Sequence, residues 1–197
     1  MSKFGNLGKG APATQAPKGK FDFGSLDDES LLDYGAREYG IPWIDNAYVV
    51  QLVDFEYYEG FQFQGPKATL LIEHVAEPGV KRTTPEGKVV TPAQVGEERP
   101  FFFRVNEGKV NGFDIGEHSR KQLVNMAYSL FGFDADTVKE AMAKGEFSAA
   151  AVLGGLAEAT GEEIREQGLR CILEVKTRVS KKSQKFIPEM FFHPYSE

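Results

Sequence analysis

The chain has 197 residues, 41% of them hydrophobic, with one cysteine and a formal net charge of −6 at pH 7. This length and apolar content suffice for one domain with a buried core. A single cysteine excludes an internal disulfide and a cysteine-based zinc site, and the three histidines lack ligand-like spacing, so the sequence predicts no metal and no cofactor.

The charge is unevenly distributed along the chain. Residues 1–20 carry four lysines and no acid, residues 21–168 carry 13 basic and 26 acidic residues, and residues 169–185 carry six basic residues and one acid. An acidic protein is not a general nucleic-acid binder, because such domains are usually basic. A cationic segment on an acidic chain predicts instead one edge that binds a polyanion.

Composition divides the chain into three predicted parts. Residues 1–20, rich in Gly, Pro, Ala and Lys, predict a disordered basic leader. Residues 21–44 form an acidic N-terminal extension, in which Ser25 favours the start of a short helix. Residues 45–197 form the predicted folded domain. The absence of a signal-like N-terminus and of about 18 consecutive apolar residues predicts a cytoplasmic protein without a membrane span.

Three strands are predicted in the first half of the domain. Along residues 47–58 the apolar positions change phase between Leu52 and Val53, which indicates a bulge or a bend. A long bent first strand is typical of a small closed barrel. Residues 67–75 and 100–105 predict the second and third strands, with a Pro- and Gly-rich excursion between them that favours a hairpin.

Helices are predicted next. A capping signal at Asp114 begins a helix that Gly132 ends. A second helix begins at Asp134 or Asp136, and residues 147–159 predict a third. These helices separate the three strands from two closing strands.

The two closing strands flank a basic turn. Apolar and polar residues alternate over residues 169–179, which predicts a half-buried strand, and Pro188 marks the last strand, residues 186–195, as an edge or bulged strand. The predicted fold is therefore mainly β, a five-stranded Greek-key barrel resembling the oligonucleotide/oligosaccharide-binding fold (OB-fold), with a helical insertion between strands 3 and 4. In that fold the face of strands 2 and 3 and the loops 1-2 and 4-5 bind the ligand.

Binding of single-stranded nucleic acid requires cations for phosphates and flat rings on which bases stack. Aromatic rings occur at the end of the first strand, in the following loop and on the third strand, whereas cations occur on the third and fourth strands and in the basic turn. The predicted nucleic-acid-binding residues are Tyr57, Phe61, Phe63, Phe102, Arg104, Arg170, Lys176, Arg178, Lys181, Lys182 and Lys185.

Each of these groups has a structural alternative. The loop phenylalanines could pack onto the barrel, because most phenylalanines are buried, and Phe102 could lie beneath the helices. Tyr57 and Tyr58 are both ambiguous between core and groove. The turn lysines could serve only to protect edge strands from aggregation.

The leader MSKFGN, the strand-rich front half, the stretch EHSRKQLVNMAYSLFG and the closing FFHPYSE resemble phage-encoded single-stranded-DNA-binding proteins of the OB-fold type over residues 45–195. The resemblance implies sequence-tolerant binding of single-stranded DNA during replication or recombination, in a host bacterial cytoplasm and beside replication or recombination proteins. Such proteins often end in an acidic tail with an aromatic tip, whereas the last five residues of this sequence are HPYSE. The acidic residues 27–38 could replace that tail or occupy the protein's own cationic groove.

No catalytic constellation is present in the sequence. It contains no serine nucleophile motif, no phosphate-cradling glycine loop and no metal-binding helix pair, and adjacent carboxylates such as Glu162 and Glu163 are typical of a solvated surface. The sequence therefore predicts that the protein is not an enzyme. The alternative function is a non-catalytic protein-interaction or virion-assembly module built on the same barrel, in which the cations would not converge.

Overall fold

The computed structural model describes residue 26 and residues 43–60, 64–83, 89–110, 113–179 and 186–196. The predicted leader, the predicted helix after Ser25 apart from Leu26, and the whole basic turn, residues 180–185, lie outside the described residues. Among the residues described, no helix is both long and apolar enough to cross a bilayer.

The described residues form nine strands and four helices. The strands are β1 (Asn46–Glu59), β2 (Gln64–Val75), β3 (Arg82–Thr83), β4 (Val89–Val90), β5 (Glu98–Phe102), β6 (Lys109–Val110), β7 (Phe113–Asp114), β8 (Arg170–Val179) and β9 (Phe186–Pro194). The helices are α1 (Ile115–Leu130), α2 (Ala135–Ala143), α3 (Ala149–Glu158) and α4 (Gly161–Gln167). The five predicted strands correspond to β1, β2, β5, β8 and β9 and are confirmed, as are the first three helices and the hairpin, formed by β3 and β4.

The five long strands form one antiparallel sheet in the order β5-β2-β1-β8-β9. Among the long strands, β1, β2 and β5 come first along the chain and lie side by side in the sheet. Strand β8 comes after the helices and pairs with the free side of β1, which gives the Greek-key order. Within the described sheet, the edge strands β5 and β9 do not pair with each other, so the sheet is open. The structure therefore confirms a β-rich fold, with helices that make it mixed α/β, but it does not contain the closed barrel that was expected.

The predicted irregularity in β1 is present. The register with β2 shifts between Leu52 and Asp54, so Val53 is an extra residue in the ladder. Leu52, Val53 and Phe55 are all buried, which shows that the buried face changes phase at this point. A bulge bends a strand and increases its twist. The first half of β1 pairs with both β2 and β8, whereas the second half pairs with β2 alone.

The buried face of the sheet packs against α1 and α3. Helix α1 lies against β8 and β9, and α3 lies against β1 and α1. The ring of Phe101 in β5 lies 4.9 Å from the ring of Phe103 and 5.4 Å from the ring of Phe192 in β9, measured between centroids. The two edge strands thus meet through side chains across the core. Leu26 and Trp43 belong to the same buried cluster.

Side-chain caps begin all four described helices, and the cap of α3 is Ser148. Asp114 accepts a hydrogen bond from the backbone of α1, as predicted. Of the two caps considered for the second helix, Asp134 is the one observed, and it forms a capping box with Thr137. Helix α4 was not predicted, although Thr160 and Glu163 form a second capping box and Gly168, with φ of 60°, ends the helix. This spacing of Thr and Glu is the sequence signal that identifies α4.

The stretch GFDIGEHS at the start of α1 has a packing role. A Cβ atom on Gly116 would overlap the carbonyl oxygen of Glu107 and would lie 2.9 Å from that of Val105. Arg120 donates a hydrogen bond to the same Val105 oxygen at 2.8 Å. Glycine therefore allows α1 to dock closely on the turn that follows β5.

His118 makes the stability of the fold dependent on pH. It is 5% exposed, and burial, assisted by the positive charge of Lys121, lowers its pKa from 6.5 to about 4. Because the unfolded chain binds this proton more readily, the stabilisation is complete above pH 6.5 and is lost as the pH falls towards 4. We expect a loss of about 3 kcal/mol over this range, measured by urea unfolding at a series of pH values.

The variant His118→Gln should lose this part of the pH dependence. His74→Gln, at an exposed position on β2, is the matched control and should retain it. A constant difference in unfolding free energy between the wild type and His118→Gln at every pH would contradict the prediction.

Candidate nucleic-acid interface

The face of the sheet opposite the core carries the candidate site. On this outer face, Glu56 of β1 lies opposite Lys67 of β2, and Lys67 lies opposite Phe102 of β5. Directly opposed residues share a face and contact each other. A row of three side chains therefore crosses β1, β2 and β5, which are the first three long strands of the sheet.

Tyr58 completes an aromatic and cationic cluster beside this row. Its ring lies 5.8 Å from the ring of Phe102 at an interplanar angle of 67°, and Nζ of Lys67 lies 5.6 Å from its centroid. Tyr58 is 38% exposed, and Phe102 is half-buried. We call Tyr58, Lys67 and Phe102 the outer-face cluster. It consists of one accessible ring, a second ring that is half-buried and the Nζ atom of Lys67, which is also paired with Glu56.

Tyr57 and Tyr58 lie on opposite faces of β1. Tyr57 packs against the core cluster, and its hydroxyl accepts a hydrogen bond from Nδ2 of Asn106 at 3.1 Å. The ring of Tyr58 occupies the space where a Cβ atom on Gly60 would lie. The phase change at Val53 explains this arrangement, because it directs residues 55 and 57 inward and residue 58 outward.

Tyr58 and Lys67 were not among the predicted site residues. Lys67 also forms an ion pair with Glu56, with 2.7 Å between Nζ and Oε1. A sequence signal for both was available. Alternation counted from Val53 places Tyr58 outside, and alternation along the second strand places Lys67 on the polar face.

The loop between β1 and β2 adjoins the cluster. Tyr58 pairs with Gly65 and Glu59 pairs with Gln64, so the loop starts at Gly60, two residues after the exposed tyrosine. Phe61 and Phe63 belong to this loop and lie outside the described residues.

Arg104 lies beyond the end of β5, in the segment that joins β5 to β6. It is half-buried, and its Nη1 atom lies 3.3 Å from Oε1 of Glu107. The predicted alternation of Phe102 with its buried neighbours Phe101 and Phe103 is confirmed. Arg104 lies two residues after Phe102, outside the paired part of β5.

The cations of β8 share the outer face but lie at the other end of β1. Arg170 lies opposite Gln51, and Lys176 comes after Val175, which pairs with the first residue of β1, Asn46. Tyr58 lies near the last residue of β1. Along the strand register, the structure therefore does not place these two cations beside the outer-face cluster.

Arg170 and Lys176 are also paired with carboxylates. Arg170 donates from Nε and Nη2 to the two oxygens of Glu73, at 2.7 and 3.0 Å. Nζ of Lys176 lies 2.9 Å from Oε1 of Glu174, and this contact holds the pKa of Glu174 below its usual value. A phosphate would have to compete with these carboxylates. The side chain of Arg178 and residues Lys181, Lys182 and Lys185 lie outside the described part of the structure.

Helix α4 covers part of the outer face between the two groups. Arg165 forms an ion pair with Glu98 of β5 at 2.9 Å, and Gln51 donates to the carbonyl of Arg165, also at 2.9 Å. The hydrogen bond from Arg165 lowers the pKa of Glu98. These contacts hold α4 over the middle of the sheet.

Within the described ranges, no group of three His, Cys, Asp or Glu side chains is arranged to hold a metal ion. No protein-family model, no curated protein and no solved structure matches the chain. The function is therefore argued from the geometry of the outer face.

Proposed function

We propose that this protein binds single-stranded DNA, without sequence preference, through the outer-face cluster and the adjoining loops. The observation that carries the proposal is the contact of Tyr58 with both Phe102 and Lys67 on an accessible face. Aromatic rings provide stacking surfaces for bases, and the amine provides a phosphate contact. An exposed ring beside a cation is what such a surface requires.

We further propose that the sheet is an open form of the OB barrel. The Greek-key strand order supports this assignment, and so does the contact between Phe101 and Phe192, through which the two edge strands approach each other. In OB-folds the face of strands 2 and 3 binds the ligand together with loop 1-2. The corresponding strands here carry Lys67 and Phe102, and the corresponding loop begins beside Tyr58.

The proposed setting follows from the resemblance to phage-encoded single-stranded-DNA-binding proteins. It is the replication or recombination of DNA in the cytoplasm of a bacterial host, with proteins of those processes as partners and with no catalytic step. Because the chain has a net charge of −6, we propose that DNA contacts one face of the protein and not its whole surface.

One observation favours a second function. Arg104, Arg170 and Lys176, the predicted cations whose side chains are described, each contact a carboxylate. A face whose charges are paired internally suits a protein partner better than a polyanion. The second candidate is therefore a non-catalytic interaction or assembly module.

Fluorescence polarisation with a labelled thymidine oligomer separates the two functions. We expect Tyr58→Ala and Phe102→Ala each to weaken binding by about 1–3 kcal/mol, or roughly 5–150-fold, without changing the salt dependence. Lys67→Ala should lower the logarithmic salt slope by about 0.7, because one phosphate contact is lost.

Two exposed positions provide controls for these variants. Lys144→Ala removes a lysine that is paired with Glu140 on α2, and Val95→Ala trims an apolar side chain that is 64% exposed. Both should bind like the wild type. Binding that is independent of salt and unaffected by Tyr58→Ala and Phe102→Ala would contradict DNA binding and favour the interaction module.

A further inference from the structure

A carboxylate already occupies the amine that the proposed site offers to phosphate. Glu56 of β1 and Lys67 of β2 are directly opposed on the outer face, and Nζ of Lys67 donates to Oε1 of Glu56 at 2.7 Å. The side chain of Glu56 is 46% exposed and that of Lys67 is 21% exposed, so the carboxylate is the more accessible member of the pair. A phosphate that binds this amine therefore meets an anion of the protein itself.

The same amine lies beside the stacking ring. Glu56 and Tyr58 are two positions apart on β1, and Nζ of Lys67 lies 5.6 Å from the centroid of the Tyr58 ring. Side chains two positions apart on a strand point to the same face. The carboxylate therefore belongs to the outer face and adjoins both the cationic and the aromatic part of the outer-face cluster.

A carboxylate and a phosphate compete for an ammonium group. Both anions accept charge-assisted hydrogen bonds from lysine, and both are favoured by its positive charge. The ammonium group has three hydrogens and could donate to two acceptors at once. Two anions held on one amine repel each other at that short distance, however, so binding of the phosphate favours release of the carboxylate.

We propose that Glu56 is an internal competitor for phosphate at the outer-face cluster. Its carboxylate binds the amine of Lys67 in the free protein, and a phosphate of the bound strand displaces it. The inference rests on the proposed function, because the displacement requires that DNA bind this cluster. Glu56 thereby weakens the complex and favours release of the strand.

The test is fluorescence polarisation of the full chain with a labelled thymidine oligomer at low salt. Glu56→Gln keeps the size of the side chain and removes its charge, so it should tighten binding roughly 2–5-fold, the factor that corresponds to a surface ion pair of up to about 1 kcal/mol. The urea midpoint should stay close to that of the wild type, because a partly exposed ion pair contributes little to stability.

A double-mutant cycle separates competition at Lys67 from the general effect of one negative charge fewer. In the Lys67→Ala background the amine is absent, so adding Glu56→Gln should leave the affinity of Lys67→Ala nearly unchanged. Glu140→Gln is the control at a distance, because it removes the carboxylate of an exposed ion pair with Lys144 on α2. It should bind the oligomer like the wild type.

The outcomes separate this inference from the proposed function. Tighter binding by Glu56→Gln that disappears in the Lys67→Ala background supports the inference. Equal tightening in both backgrounds assigns the effect to net charge, and unchanged or weaker binding by Glu56→Gln shows that the carboxylate does not compete. If Tyr58→Ala still weakens oligomer binding, each of these results overturns the inference alone. Absence of oligomer binding in the wild type and in Glu56→Gln overturns the proposed function together with the inference.

Discussion

Replacing Phe101 with alanine is expected to lower the free energy of unfolding by about 3–5 kcal/mol. Phe101 is 1% exposed, and its ring contacts the rings of Phe103 and Phe192. Its removal leaves a cavity between the two edge strands of the sheet, which the surrounding rings fill only in part. Urea denaturation with linear extrapolation measures the effect.

Phe102→Ala is the matched control, because it removes the same side chain one position along the chain. Phe102 is half-buried on the outer face, so the loss should be about 1 kcal/mol, from the smaller apolar area exposed. A double-mutant cycle between Phe101 and Phe192 should give a coupling of about 0.5–1.5 kcal/mol. Equal losses in Phe101→Ala and Phe102→Ala, or zero coupling, would contradict the side-chain contact between the edge strands.

Asn125→Ala is expected to destabilise the protein by about 3 kcal/mol, because it leaves two buried backbone groups without partners. Oδ1 of Asn125 accepts from the N–H of Phe192 at 2.8 Å, and Nδ2 donates to the carbonyl of the same residue at 2.9 Å. The side chain thus binds the edge of β9 as a neighbouring strand would. Thermal or urea unfolding measures the loss.

Asn106→Ala provides the comparison for Asn125→Ala. Asn106 is exposed and makes one described side-chain hydrogen bond, to the hydroxyl of Tyr57, so its replacement should cost less than about 1 kcal/mol. Since Asn125→Ala also uncovers an edge strand, its monomers should associate more readily as concentration rises. Equal stability of the two variants would show that the contact of Asn125 with β9 contributes little.

Proline positions show how much the sequence reveals about β9. The backbone N–H and C=O of Phe192 point away from β8 and bind Asn125. Because these groups alternate in direction along an antiparallel strand, the backbone groups of residues two and four positions from Phe192 also point away from β8. Pro188 and Pro194 occupy such positions, where the missing N–H costs no bond to β8. The prediction that Pro188 marks an edge strand is therefore confirmed.

The candidate site was less predictable than the strands. Its aromatic member Phe102 followed from alternation, and Tyr58 would have followed from the phase change in β1. The contact of Lys67 with Tyr58 requires that β1 and β2 pair in one particular register. A shift of one residue would move every side chain of β2 to the other face, and no local pattern states which register is adopted.

The sequence by itself determined the strands, the helix caps and the edge position of β9, because these depend on alternation, capping residues and proline within a few positions of one another. Only the tertiary structure decided which charges are neutralised. Arg170 is paired with Glu73, 97 positions away, across β1. Strand order and the packing of α4 bring such distant charged groups together. The number of lysines and arginines in a segment gives the charge of that segment, but it does not show which carboxylates pair with them.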